Sequence, residues 1–306
     1  MKKQTLTFGL IALMGIFILT GCEKEKEEEM KAVADMTIAE YASSNSNFSI
    51  LVDALAKADL VNALNGDGNF TVFAPTNAAF TALFSELGIS GIADLTKETL
   101  TPILLYHVLG TEAKSSMITS GYYSTLSPAQ GSYLSLKVDV SSGVKLNKNT
   151  SVTIADVDVK NGVIHAIDKV LLPPTVVDQA IANDNFSILV QAVVKANLAG
   201  ALSGTGPFTI FAPTNAAFEA LFATLGVSGI ADLTAEQLTP ILTYHVVSGN
   251  VLSTQLSAGN VPTLNGEQLS ITLSPAPAIN GSTNIIATDV QGSNGVIHVI
   301  DKVLLP

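Results

Sequence analysis

Apolar residues recur along this chain with the period of an α-helix in some segments and as short strand-like runs in others. Phe48, Leu51, Val52 and Leu55 stand at positions i, i+3, i+4 and i+7, so they share one face of a predicted helix. The run Phe-Thr-Val-Phe-Ala at 70–74 is short, β-branched and aromatic, which predicts a buried strand. The chain therefore opens with helical structure that surrounds a strand.

Two more helices are predicted from residues that favour helix ends. Thr76 and Asn77 predict the start of a helix that ends at Gly88, because their side chains can accept hydrogen bonds from the first turn. Thr101 before Pro102 predicts the N-cap and first residue of another helix, because proline has no N–H to lose there.

The character of the chain changes after this helix. Residues 110–172 are rich in Ser, Gly, Thr and Val, and apolar and polar residues alternate over 134–140 as in a half-buried strand. Asn161 and Gly162 separate two such runs and predict a hairpin turn, since both tolerate a positive φ. Helices followed by a strand-rich half predict an α+β fold.

This whole pattern occurs twice. Residues 48–109 recur at 186–247 with an offset of 138, and 44 of the 62 positions are identical. The block at 161–173 returns at 294–306 with an offset of 133, so five residues were gained or lost between the blocks. Each unit has the size of a domain rather than of a solenoid repeat. We therefore predict two independently folding domains, residues 36–173 and 174–306.

The N-terminus has the pattern of a lipoprotein signal peptide, residues 1–21. Lys2 and Lys3 precede an apolar run over 8–19, which is too short to span a bilayer. Leu-Thr-Gly-Cys at 19–22 resembles the bacterial lipobox, in which the cysteine is acylated. We therefore expect Cys22, the single cysteine of the chain, to carry lipid and to attach the protein to a membrane.

Residues 22–35 are predicted to form a tether. Glu-Lys-Glu-Lys-Glu-Glu-Glu at 23–29 supplies no core residues, so we expect an extended, solvated segment that spans about 40 Å. An acidic patch after the lipidated cysteine also resembles the surface-export signal of Bacteroidetes-type lipoproteins. A spacer without an export role is the alternative. We expect a location in the bacterial cell envelope, lipid-anchored at the outer membrane, with exposure at the cell surface under the first interpretation.

Composition argues against several classes of function. The chain has 15 lysines and no arginine against 26 acidic residues, so removal of Lys2 and Lys3 with the signal leaves a net charge of −13. Nucleic-acid binding needs a positive surface, and arginine is its preferred reader, so no nucleic-acid partner is expected. With Cys22 lipidated, neither a disulfide nor a thiol nucleophile is expected.

The repeated blocks resemble the fasciclin domain. The resemblance rests on TVFAPTNAAF at 71–80, TIFAPTNAAF at 209–218, the Tyr-His pairs at 106–107 and 244–245, and the closing NGVIHAIDKVLLP and NGVIHVIDKVLLP blocks. It implies two tandem fasciclin-like domains, each a β-wedge or sandwich of about seven strands with packed helices. It also implies adhesion, matrix or glycan contact rather than an enzyme.

The histidines and two tyrosines are the candidate site residues. His107, His165, His245 and His298 lie within apolar patterns, so we interpret them as structural histidines that hydrogen-bond inside the fold rather than as metal ligands. Tyr106 and Tyr244 precede two of them and point about 100° away around the helix. They are candidate partner contacts, with a buried, hydrogen-bonded hydroxyl as an equal alternative.

No motif predicts catalysis or a cofactor. The chain has no G-x-S-x-G, H-E-x-x-H or glycine-rich phosphate loop, so no catalytic residue, metal or cofactor is expected. Asp156 and Asp158 have a calcium-like spacing, but alternation with valines explains it better. We expect a membrane-anchored extracytoplasmic binding module that contacts matrix, glycan or cell-surface partners. A structural envelope protein that contacts other bacterial surface proteins is the alternative.

The two copies differ most in one region. Residues 110–160 and 248–293 diverge strongly, whereas the helical halves are nearly the same. Because surface loops vary more than packed elements, we predict that the two domains share a core and differ in their contact surfaces.

Overall fold

The computed structural model describes residues 30–306. The predicted signal peptide, Cys22 and most of the predicted tether lie outside the described residues. The end of that tether is not extended as predicted, because residues 30–34 are helical and Val33 packs against the apolar core of the first domain. Within the described part of the chain, no helix is long and apolar enough to span a membrane.

The first domain places five α-helices before and around its first strand and closes with the other strands. Its helices are α1 Ile38–Ser44, α2 Ser49–Lys57, α3 Val61–Asn65, α4 Asn77–Leu87 and α5 Lys97–Tyr106. Its strands are β1 Phe70–Pro75, β2 Val108–Leu109, β3 Gly121–Ala129, β4 Ser132–Asp139, β5 Lys145–Leu146, β6 Thr150–Val159 and β7 Gly162–Ile167.

The second domain repeats this order. Its helices are α6 Val176–Ile181, α7 Ser187–Lys195, α8 Ala199–Leu202, α9 Asn215–Leu225 and α10 Ala235–Tyr244. Its strands are β8 Phe208–Pro213, β9 Val246–Ser248, β10 Gly259–Pro262, β11 Gln268–Thr272, β12 Ala278–Ile279, β13 Thr283–Gly292 and β14 Gly295–Ile300. The predicted α+β arrangement of two tandem domains with seven-stranded sheets is confirmed.

One parallel pairing joins the two halves of each domain. Strand β1, which lies between helices in sequence, pairs with β7 at the end of the domain, and β8 pairs in the same way with β14. Both partners are buried along their length, as expected for parallel strands covered by helices. One apolar cluster lies between the helices and this pair, and a second lies on the opposite side of the sheet.

The helix that carries Tyr106 starts earlier than predicted. Thr96, not Thr101, is the N-cap of α5, and its hydroxyl accepts a hydrogen bond from the amide of Thr99. Pro102 therefore lies inside the helix and costs it one backbone hydrogen bond. Burial of Leu100 and Leu104 against the sheet compensates for this loss.

The predicted hairpin turn is also shifted by one residue. Strand β7 starts at Gly162, so the loop consists of Lys160 and Asn161. The side chain of Asn161 accepts from the amide of Ile38 at 2.9 Å and donates to the carbonyls of Leu64 and Gly66 at 2.8 Å. This asparagine therefore ties the hairpin to the helical half, and Asn294 makes the same contacts in the second domain.

The five-residue difference between the copies lies in one hairpin. Ten residues lie between the paired residues Ser124 and Ser135 of the first domain, whereas five lie between the matching pair Pro262 and Gln268 of the second. The longer hairpin of the first domain lets Thr125 pair with Leu109 and close its sheet into a barrel. The sheet of the second domain remains open between β9 and β10.

This hairpin also reaches the second domain. Gln130 at its tip donates to the carbonyl of Ser293, and Asn250 donates to the carbonyl of Gln130. On β4, the carbonyl of Ser135 accepts from Gln179 Nε2 at 2.5 Å, and Ser135 Oγ accepts from the amide of Gln291 at 2.9 Å. These contacts join the β3–β4 hairpin to the side of the second domain that is formed by α6, β13 and the neighbouring loops. We call this set of contacts the seam.

Gly162 provides a test of the β1–β7 junction. A Cβ at this residue would lie 2.0 Å from the carbonyl oxygen of Phe70, and φ is +150°. We expect Gly162→Ala to lower the free energy of unfolding by more than about 2 kcal/mol. Gly143, with φ of +84° and open space around it, is the matched control, and Gly143→Ala should cost about 1 kcal/mol. Equal losses in urea denaturation would contradict the steric account.

Candidate functional site: a cleft between the two domains

A cleft of about 620 Å³ lies beside the seam and is lined by both domains. Strands β3 and β4 form one wall, and the segment after α6 together with β13 forms the other. Neither domain contains the cleft by itself. The relative placement of the two domains therefore creates it.

Three of the six tyrosines of the chain line the wall formed by the first domain. The hydroxyl of Tyr122 accepts from Asn183 Nδ2 at 3.2 Å, and the ammonium group of Lys137 lies 5.3 Å from its ring centre. Burial raises the pKa of Tyr122 to about 12, so its hydroxyl stays protonated. Tyr133 is 51% exposed and presents its ring to solvent.

The wall formed by the second domain is mainly amide, hydroxyl and aliphatic. Asn183 and Asn185 come from the segment after α6, and the exposed side chain of Ile286 lies on β13. Asp289 is the acidic residue among those lining the cleft, and its two carboxylate oxygens already accept from the amide and hydroxyl of Ser253. The lining thus offers aromatic faces and neutral polar groups.

Such a surface suits a neutral ligand with many hydroxyl groups. Aromatic rings cover the apolar faces of a ligand while amides and hydroxyls exchange directional hydrogen bonds with it. In the cleft we find no pair of a nucleophile and a free base at hydrogen-bonding distance, which nucleophilic catalysis would require.

Tyr106 and Tyr244 do not form a partly exposed contact, which corrects one of the two interpretations of their sequence position. Tyr106 is 0% exposed and Tyr244 is 4% exposed. The hydroxyl of Tyr106 donates to the carbonyl of Ser135 at 3.0 Å and accepts from Asn147, and Tyr244 bonds Gln268 and Asn280 in the same way. The helix ends under the sheet, so the face that lies about 100° from the histidine is buried as well.

His107 and His245 connect the end of their helix to the last segment of their domain. His107 Nδ1 lies 2.7 Å from the carbonyl of Ile103, and His107 Nε2 accepts from the amide of Leu171 at 2.9 Å. His245 repeats this with Ile241 and Leu304. Burial lowers the pKa of each of the two imidazoles to about 4.

His165 and His298 hold a bulge in the sheet. His165 Nδ1 accepts from the amide of Asp156, where φ is +59°, and His165 Nε2 lies 2.9 Å from the carbonyl of Ala113. His298 makes the matching contacts with Asp289 and Val251. In both domains, each ring nitrogen of these histidines is therefore engaged by the backbone.

The acidic residues with calcium-like spacing also have protein partners. Asp156 accepts from the amide and hydroxyl of Ser115, and Asp158 forms an ion pair with Lys114 at 2.9 Å. Among residues 30–306, no group of three or more histidine, cysteine or acidic side chains is arranged to hold a metal ion.

Sequence reasoning missed the cleft itself. It singled out 110–160 as a divergent contact surface, and this region contains Tyr122, Tyr123 and Tyr133. The signal was the concentration of three tyrosines and five extra residues in one hairpin. Which residues of the second domain face them is a tertiary fact that no spacing reveals.

Two segments of the chain, residues 46–173 and 184–306, match the family model of the Fasciclin domain. The chain belongs to the fasciclin family. The earlier resemblance to this family is thereby confirmed.

Relatives with fasciclin domains occur in bacteria and animals. Protein sll1483 of Synechocystis sp. is 46% identical over 132 residues, which are 43% of this chain and 73% of that protein. Transforming growth factor-beta-induced protein ig-h3 of Sus scrofa is 30% identical over 273 residues, 88% of this chain and 38% of that protein. The cell surface glycolipoprotein MPB83 of Mycobacterium bovis is 34% identical over 46% of this chain and 63% of that protein.

The chain spans only part of the longer animal relatives, 38% of ig-h3 and 29% of human periostin. Among solved structures, a FAS1 domain pair from the insect cell adhesion molecule fasciclin I aligns with 93% of this chain and 98% of that chain. The TM-score is 0.48 and the sequence identity is 19%.

The buried histidines of the two fasciclin domains make stability depend on pH. Their lowered pKa means that the folded protein binds fewer protons than the unfolded chain between pH 6.5 and about 4. Stability is therefore fully present above pH 6.5 and is lost as the pH falls. We expect a slope of about 1.4 kcal/mol per pH unit for each of His107 and His245. Urea denaturation between pH 6.5 and 5 measures this slope. A free energy of unfolding that stays constant over this range would contradict burial of the two imidazoles in their uncharged form.

Tyr106 and Tyr244 provide a matched pair of variants. Removal of either hydroxyl breaks two hydrogen bonds. Tyr106 loses those with the carbonyl of Ser135 and the half-buried Asn147, and Tyr244 loses those with the carbonyl of Gln268 and the exposed Asn280. We expect Tyr106→Phe and Tyr244→Phe each to lower the free energy of unfolding by about 1–2 kcal/mol. Ligand affinity, measured where the variants remain folded, should not change. If a variant kept its full stability but lost much of its affinity for the ligand, the substituted tyrosine would be a ligand contact after all.

Proposed function

We propose that this fasciclin protein is a binding and adhesion module of the bacterial cell envelope that is anchored by lipid at Cys22 and captures a neutral glycan between its two domains. The observation that carries the proposal is the cleft lined by Tyr122, Tyr123 and Tyr133 on one wall and by asparagines on the other. Its location at the outer membrane, facing outward, rests on the N-terminal sequence.

The relatives support this class of function. One matched relative is named a cell surface glycolipoprotein, that of Mycobacterium bovis. Two fungal relatives are named fasciclin-like arabinogalactan proteins, and the one of Arthroderma benhamiae is 29% identical over 79% of this chain. The glycan class rests on the aromatic and amide lining of the cleft.

Binding in one cleft formed by both domains differs from binding at two separate sites, one in each domain. Two equivalent sites would act through avidity, in which either domain alone retains weak binding. A cleft that needs both walls is lost entirely when the domains are separated. We therefore expect neither residues 36–173 nor residues 174–306 alone to bind the glycan that the pair binds.

Truncation of the most exposed cleft ring tests the proposal. The soluble pair, residues 30–306, is titrated with a panel of neutral polysaccharides, and Tyr133→Ala is expected to weaken the specific hit by about 10-fold, as for an aromatic binding hot spot. Leu225→Ala, a half-exposed side chain that does not line the cleft, is the matched control and should bind normally.

Two results would contradict the proposal. Equal affinity of Tyr133→Ala and Leu225→Ala would remove the cleft as the glycan site. Absence of any saturable binding across the panel would favour a structural envelope protein that contacts other bacterial surface proteins, and crosslinking on intact cells would then identify those contacts.

A further inference from the structure

A second cavity lies inside the second domain, away from the cleft. Helices α6, α7 and α8 cover it on one side, and β8 and β14 form its floor. Its lining is aliphatic and aromatic apart from His245. Both ring nitrogens of His245 are bonded to the backbone, so the walls offer a ligand no hydrogen bond.

The first domain has the same cavity in a smaller form. The corresponding volumes are about 70 Å³ in the second domain and about 20 Å³ in the first. Tyr41 lines the smaller cavity, whereas its counterpart Gln179 turns towards the seam and bonds Ser135. Leu55 of the first domain is replaced by the shorter Val193. Both exchanges enlarge the space in the second domain.

The larger cavity also opens through an apolar mouth. Ile181 and Val194 line it and are 45% and 63% exposed. The first domain has Ser43 and Ala56 at these two positions, and neither lines its cavity. Exposed aliphatic side chains around an apolar cavity are costly in water unless a ligand covers them. The mouth is thus a feature of the second domain only.

Size and charge restrict the ligand. An apolar cavity of about 150 Å³ holds one benzene ring, so the smaller volume here fits the end of an unbranched chain rather than a ring. Residues 174–306 carry two lysines against eight acidic residues. Asp178 is exposed on α6 beside the mouth, whereas Lys195, next to Val194, donates its ammonium hydrogens to the carbonyls of Ile230 and Ala231. An anionic head group is therefore repelled.

We propose that the second domain binds the end of one unbranched alkyl chain with a neutral head group in this cavity. The chain end enters between Ile181 and Val194 and lies against Val193, while the head group remains in water. Each buried methylene contributes by leaving water, since no polar contact is available. This site is independent of the glycan cleft.

The test titrates residues 30–306, which contain both domains, with n-decanol while the methyl signals of Ile, Leu and Val are followed by NMR. We expect saturable shifts at Val177, Val190 and Val193, and none at Val52 and Leu55, which are the first-domain equivalents of Val190 and Val193. Decanoate at pH 7 should bind at least about 10-fold more weakly, because its carboxylate faces the acidic surface.

Two variants install residues of the first domain. Val193→Leu reduces the cavity, and the surface double variant Ile181→Ser with Val194→Ala removes the apolar mouth without disturbing the core. Each should weaken decanol binding by at least about 10-fold. Glycan binding at the cleft should remain, which separates failure of this proposal from failure of the proposed function.

Three outcomes would overturn the inference. These are no shift at the methyls of the second domain, equal shifts in both domains, or unchanged affinity in both variants. Equal affinity for decanoate and decanol would refute the neutral head group.

Discussion

The carbonyl oxygen of Ser135 is the point on which the geometry of the pair depends. It accepts from Tyr106 inside the first domain and from Gln179 of the second, so one backbone group joins a core tyrosine to the seam. The hydroxyl of the same serine accepts from the amide of Gln291. Because these groups are buried, loss of one partner leaves a polar group without water, which makes the contact specific.

The seam shows how two copies of one domain can differ without a change of fold. Gln179, Gln291 and Asn250 form the face that meets the first domain. The equivalent positions of the first domain are Tyr41, Asp158 and Glu112, of which Asp158 and Glu112 are exposed and Tyr41 is half-buried. A buried carboxylate without a partner is costly, whereas a buried amide needs only hydrogen bonds. Neutral amides therefore form the buried part of the contact between the domains, and the ion pair between Lys148 and Asp184 joins the domains where both side chains are exposed.

Gln179 also links the seam to the second-domain cavity. In the first domain, Tyr41 packs near Phe48 with ring centres 6.3 Å apart and occupies part of the interior. In the second domain, the same position supplies a hydrogen-bonding group to the seam, so its side chain is not available to fill the core. A requirement for interdomain contact thus leaves an apolar space in a domain whose backbone is otherwise the same.

The sequence by itself determined the repeated α+β domains, the strand at 70–74, the caps at Thr76 and Gly88, and the family. Local rules fix these features, because helix periodicity, cap chemistry and residue identity act over a few positions. The start of α5 was predicted wrongly from the sequence, at Thr101 instead of Thr96. Burial of Leu100 and Leu104 outweighs the preference of proline for the first turn of a helix. Only the tertiary structure decided that Tyr106 is buried, that the extra hairpin residues contact the second domain, and that three tyrosines line a cleft. Each of these depends on which surfaces meet, and that is set by contacts between residues that lie from 29 to 163 positions apart in the chain.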